Sequence, residues 1–237
     1  MLSVSGTEPE KNFVERRDKM KRFANLPPVW TLSYFAIYLP WFMALEARDP
    51  SECTIVQLHV DRMIPFCEYF VIPYLLWFFY IGAVVTYLIL NRPKGEYYRF
   101  AALLFGGFTV CLIMYSFFYT ELDLRPAIDP GKNIFTWMTS RVWATDTSTN
   151  VCPSIHVYAT LAAQSALVRC RLRDRHPICY ALCSTLSISI ILSTMFLKQH
   201  SVLDVLCAFA LFGVIHLAVH GVPAPEPRRS RLVRVRT

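Results

Sequence analysis

Residues 69–90 read YFVIPYLLWFFYIGAVVTYLIL, an unbroken apolar and aromatic run without a charged side chain. A bilayer core about 30 Å thick asks for roughly 20 apolar residues in a helix, and this run supplies them. Working outward, five further stretches have similar length and character: approximately 27–46, 100–119, 153–169, 178–197 and 201–221. The 237 residues are 54% hydrophobic and only 17% charged. Charge that sparse does not cover the surface of a water-soluble domain, and long apolar blocks are the mark of spanning helices. The expected fold is all-α, a polytopic membrane protein with a six-transmembrane-helix bundle over 27–221. Short basic tails, 1–26 and 222–237, flank it. The first apolar block is too long and too poorly flanked for a cleaved signal peptide, and is expected to stay as the first span.

The formal net charge of +7 raises nucleic acid as a partner, but its placement argues against that. With segments between spans assigned to alternating sides, all but six of the 24 Lys and Arg residues fall on the side that holds both tails. The six are Arg48, Arg62, Arg125, Lys132, Arg141 and Lys198. Excess Lys and Arg marks the cytoplasmic side, so both termini are expected in the cytoplasm, their basic residues facing anionic headgroups. The aromatics lie in the spans rather than among the basic residues, which disfavours nucleic acid.

Eight cysteines resemble a disulfide framework only until they are placed. Cys111, Cys179, Cys183 and Cys207 fall in spans, where Cys behaves as a small hydrophobe. Cys53 and Cys67 share the first external loop and leave pairing open. There is no CxxC motif to support a zinc or thioredoxin-like site.

The chemistry-bearing side chains collect on one side, in YTELDLRPAIDP, TNVCPSIHV and LKQHSVLDV. Pro153 suits the first turn of a helix, which puts Ser154 and His156 where free N–H groups and the helix dipole favour an anion such as phosphate. The bland alternative is an ordinary helix start. His200 and Asp204 stack on one helix face at i,i+4. An Asp in a span is costly and is normally paired or functional. Asp204 bonded to His200 would fix the ring tautomer and free the other nitrogen; alternatively the pair merely locks two helices. Arg125 offers a fork matched to phosphate oxygens and Lys198 a point charge. His216 and His220, also four apart, read as interfacial residues at the cytoplasmic end of the last span.

Taken together, these residues resemble the type 2 phosphatidic acid phosphatase superfamily, which includes vanadium haloperoxidases. Arg125-Pro126 matches the end of that family's first motif. Pro153-Ser154-Ile155-His156 matches the second, with Ile155 where the family has Gly. His200 and Asp204 match the end of the third. The likeness covers roughly 69–221. Phe118 stands at the first motif's Lys position and Thr194 at the third motif's Arg position, after a matching Ser193. Lys198 is expected to replace one missing cation and Arg141 the other. CPSIHV and LKQHSVLDV look more like the divergent branch of inositolphosphotransferases and sphingolipid synthases.

The resemblance implies a metal-independent enzyme without a cofactor, acting on a lipid phosphate at the extracytoplasmic face of a membrane, expected to be the plasma membrane. His200 would attack phosphorus to give a phosphohistidine and Asp204 would orient it. His156 would serve as acid and base, and Arg125, Ser154 and Lys198 would hold phosphate oxygens. No P-loop, HExxH or DxD cluster is present. Lipid phosphatase is the leading expectation. Transfer of a phosphorylated headgroup onto a lipid alcohol comes second, and a non-enzymatic anion-binding transporter or scaffold third.

Overall fold

The structure is a computed structural model that describes residues 28–49 and 53–221. The basic tails 1–26 and 222–237 lie outside the described residues. The fold is all-α apart from a minimal parallel ladder between β1 (Thr54–Ile55) and β2 (Thr120–Glu121). Among the described residues, five helices are long and apolar enough to cross a membrane. They are α1 (Pro28–Glu46), opening as a 3-10 helix, then α3 (Val71–Asn91), α4 (Lys94–Phe117), α8 (Pro177–Phe196) and α9 (Val202–His220). Between them run the short α2 (His59–Met63), α5 (Ile134–Thr145), α6 (Ile155–Arg169) and the four-residue α7 (Leu172–Arg175).

The stretch expected as the fourth span is the one that departs from the sequence reading. Helix α6 has 15 residues, about 22 Å at 1.5 Å per residue, short of a bilayer core. It sits in the middle of the bundle, packed by α3, α4, α8 and α9. Ala159, Ala162, Ala163 and Ala166 are buried on it, and small residues let neighbouring backbones approach closely. The apolarity of 153–169 therefore reflects burial among neighbouring helices over most of its length.

The α4–α6 crossing is close. A Cβ added at Gly107 would lie 1.9 Å from the Tyr158 ring, so this position has room for hydrogen alone. The Tyr158 hydroxyl donates to the Leu103 carbonyl at 2.6 Å across the same crossing. On the outside, Phe79, Phe117, Ile178 and Leu217 are 70–78% exposed.

The segment 120–152, read from sequence only as an external loop, contains α5. Asn133 caps it, its Oδ1 accepting from Thr136 N at 2.9 Å while Thr136 Oγ1 accepts from Asn133 N. At the far end Arg125 donates to the carbonyls of Trp143 (3.2 Å) and Asp146 (2.8 Å), a cation placed where the helix dipole is negative.

Candidate active site

At one end of the bundle the starts of α6 and α9 meet. Ser154 N donates to the Asp204 carbonyl at 3.3 Å, which fixes one helix start against the other. The rings of His156 and His200 then stand 5.9 Å apart between centroids. His156 lies against Tyr74 (4.7 Å) and Trp77 (4.4 Å) of α3. Its carbonyl accepts from Trp77 Nε1 at 3.2 Å, and its Nε2 is buried without a partner.

His200 is 8% exposed and Asp204 fully buried. Their Nδ1 and Oδ2 are 3.6 Å apart, an ion-pair distance too long for a hydrogen bond. His200 Nδ1 and Asp204 Oδ1 are both buried without partners. The other carboxylate oxygen, Oδ2, accepts from Ser201 N at 2.7 Å, while Ser201 Oγ accepts from Asp204 N at 3.1 Å. Asp204 thus closes a capping box on α9 and faces His200 as well.

The other phosphate-site candidates have structural partners. Ser154 caps α6, its Oγ accepting from Val157 N at 3.3 Å. Arg125 also donates to Gln199 Oε1, and its Nε is buried without a partner. Burial pulls its pKa down, against the Asp146 charge that raises it. Lys198 ends α8 in the left-handed region, φ 56°, and its Nζ donates to the carbonyls of Asp61 (2.6 Å) and Ile64 (2.5 Å). Burial lowers its pKa and Asp61 opposes this. Arg141 is exposed on α5, Phe118 is exposed beyond α4, and the Ser193 and Thr194 hydroxyls bond carbonyls of their own helix. Cys53 and Cys67 are both free thiols; Cys53 donates to Glu121 at 2.7 Å, and burial with that carboxylate pushes its pKa up to about 11.

Both histidines line a cavity of about 820 Å³. Its long wall is apolar, from Leu32, Phe35, Leu39 and Phe42 of α1, Phe78, Ile81 and Val85 of α3, and Leu104, Phe105 and Phe108 of α4. Its head is polar, with Glu46, Asp146, Thr147, Asn150, Gln199 and the two histidines. Arg125 is not among the lining residues; Gln199, which lines the cavity, bonds it. Sequence reasoning missed Tyr74, Asp146 and Gln199, a cluster in which Tyr74 OH donates to Asp146 and Gln199 Nε2 donates to Asp146 Oδ2 at 3.1 Å. It also missed Asp61, whose Oδ1 accepts from Val202 N (2.8 Å) and Oδ2 from Leu58 N (2.6 Å). The one available signal was Gln199 standing beside His200.

Comparison with protein-family models, curated proteins and solved structures gives no match to this chain.

Proposed function

We propose that the protein is an integral membrane, metal-independent lipid phosphatase of the type 2 phosphatidic acid phosphatase kind, working through a phosphohistidine. One observation carries the reading: two histidines from separate helix starts, one beside a buried Asp, meet at the polar head of a long apolar cavity. A lipid fits such a site, with its tail along α1, α3 and α4 and its phosphate between the rings. Large apolar side chains exposed on the outer helices support a lipid environment. The bias of Lys and Arg supports cytoplasmic termini and a site on the extracytoplasmic face, as at a plasma membrane. In this six-helix membrane bundle α6 makes the sixth crossing inside the protein, where neighbouring helices rather than lipid cover its short length.

In this mechanism Asp204 faces Nδ1 of His200 and leaves Nε2 to attack. A P–N bond forms as the P–O bond to the lipid alcohol breaks, and His156 delivers a proton to the departing alkoxide. His156 then takes a proton from water, whose oxygen attacks phosphorus, releasing phosphate and regenerating His200. Asp204 stabilises the imidazolium that forms in between. Arg125, Ser154 and Lys198 remain the candidates for holding phosphate oxygens. For Arg125 this requires Gln199 to turn aside, and for Lys198 release from the Asp61 and Ile64 carbonyls.

The test is release of inorganic phosphate from radiolabelled phosphatidate and polyprenyl diphosphate by purified protein without added metal. Acid-labile label should appear on the protein, and His200→Gln should lose both label and release. Strict dependence on a second alcohol would make the protein a headgroup transferase. Lipid binding with neither label nor turnover would make it a non-enzymatic carrier.

A further inference from the structure

Gly82 stands in the interior of α3, and a Cβ added there would meet no atom within 4 Å among the described residues. A glycine inside a helix is less favourable than alanine, and in a membrane bundle the usual compensation is close approach of a neighbouring helix. Gly107 on α4 shows that use, with the Tyr158 ring where its Cβ would stand. Gly82 has no such neighbour. The space it leaves belongs to the cavity, which it lines together with Phe78 and Thr86.

These three residues are spaced four apart, so they form one row along α3. Phe78, at the upper end, has its ring 6.5 Å from that of His156. Down the row the side chain shrinks from a phenyl ring to hydrogen and then returns only as threonine. The wall of the cavity therefore recedes below the polar head.

Across from this row, Leu32, Phe35, Leu39 and Phe42 line the cavity from α1. Helices α1 and α3 each pack on α4 and, among the described residues, make no comparable contact with one another. The result is a trough with α4 as its floor, and its depth can be read from α3. Gly82 lies five and eight residues beyond Trp77 and Tyr74, the two rings against His156, roughly 8–12 Å deeper. Thr86 lies roughly 14–18 Å deeper on the same count.

We infer that Gly82 is a specificity-determining residue that keeps the trough open to lipid tails reaching more than about 12 Å below the histidines. This rests on the reading of the cavity as a lipid phosphoester site, and it names the part of the lipid that the site measures. No bond is made or broken at Gly82. Bilayer and detergent are as apolar as the trough, so a longer tail gains little by transfer alone. What length meets is steric: a bulky side chain in place of the Gly82 hydrogen stops a long tail before its phosphate reaches the imidazoles.

The experiment uses the full chain with His200→Gln, so that bound lipid is not consumed, and adds Gly82→Phe, Thr86→Phe or Gly213→Phe. Radiolabelled dibutanoyl, dioctanoyl and dimyristoyl phosphatidate are titrated in detergent micelles. Each Kd is divided by that of the His200→Gln parent for the same lipid, which cancels partition into the micelle. Gly82→Phe should weaken the dioctanoyl and dimyristoyl lipids about tenfold and leave the dibutanoyl ratio close to one. Thr86→Phe should weaken the dimyristoyl lipid alone. Gly213 of α9 lies outside the cavity lining and an added Cβ there also meets nothing within 4 Å, so Gly213→Phe should move none of the three ratios. Gly82→Leu repeats the test with a smaller obstacle.

An equal loss for all three lipids, no loss for any, or the same length threshold from Gly82→Phe and Thr86→Phe would overturn the inference. So would undiminished phosphate release from the dimyristoyl lipid by Gly82→Phe with His200 in place, a result that leaves the phosphatase reading intact. A length threshold in binding without any turnover would sink the phosphohistidine chemistry and leave the selection of tails standing.

Discussion

The starts of α6 and α9 look alike in sequence: a serine at each N-cap, with a histidine one residue before it in α9 and two after it in α6. Their surroundings differ. At α9 the free N–H groups are already met by carboxylates, Asp204 on Ser201 N and Asp61 on Val202 N. At α6 the cap is the Ser154 hydroxyl alone, and no carboxylate bonds its first turn among the described contacts. A helix start that already holds anions is a fixed mount, and here it mounts His200. The start without them presents the less negative field, and on the proposed reading an incoming phosphate would meet it there. On that reading the two similar motifs would do different jobs, one holding the nucleophile and the other receiving the charge.

The strongest way to break this contrast is Asp204→Asn. The amide can still cap α9 but no longer carries the charge that faces His200. Turnover should fall by about 10²–10⁴-fold while the thermal unfolding of detergent-solubilised protein shifts little; a variant that simply melts would make Asp204 structural. Next, Asp61→Ala strips the mount of a buried carboxylate accepting two backbone bonds, and should cost about 2–4 kcal/mol of stability, read as a lowered melting temperature.

Gly107→Ala strikes α6 from behind by driving a methyl into Tyr158. A loss of about 1–3 kcal/mol is expected, with Trp77 fluorescence altered because that indole bonds the α6 start. Lys198→Met should cost about 1–2 kcal/mol by leaving two carbonyls unbonded, and proteolysis of the 53–67 segment should speed up. A KM that rises more than stability falls would instead make Lys198 a phosphate ligand. The smallest effect belongs to Ser154→Ala, about 1 kcal/mol of stability with a rise in KM. The matching Ser201→Ala should cost the same stability and leave KM alone.

Much of this arrangement is legible along the chain, and the reason is range. Apolar runs announce α1, α3, α4, α8 and α9, because a long hydrophobic helix is a local property. The i,i+4 spacing of His200 and Asp204 is local too, as is a helix start near Ser154. Ser154 is the N-cap, however, and Pro153 stands before it rather than in the first turn. What could not be read depends on residues far apart in sequence. Asp61 reaches Val202 and Lys198 across 141 and 137 positions, and Glu46 meets Asn150 across 104. The central placement of α6 was also hidden, since a helix buried in protein and one facing lipid are equally apolar. Helix α5, with its mixed polar and aromatic face, left no clear periodic signal.

The depth of His156 has a consequence for how such a protein would sense its host membrane. Its ring rests on Tyr74 and Trp77, three and six residues past the start of α3, roughly 5–9 Å down the helix axis. On the proposed reading the scissile ester must sink below the plane of neighbouring headgroups before it meets the imidazoles. Catalysis would then follow leaflet thickness and lateral tension, and a thinner or more loosely packed bilayer would raise the rate with no residue changed.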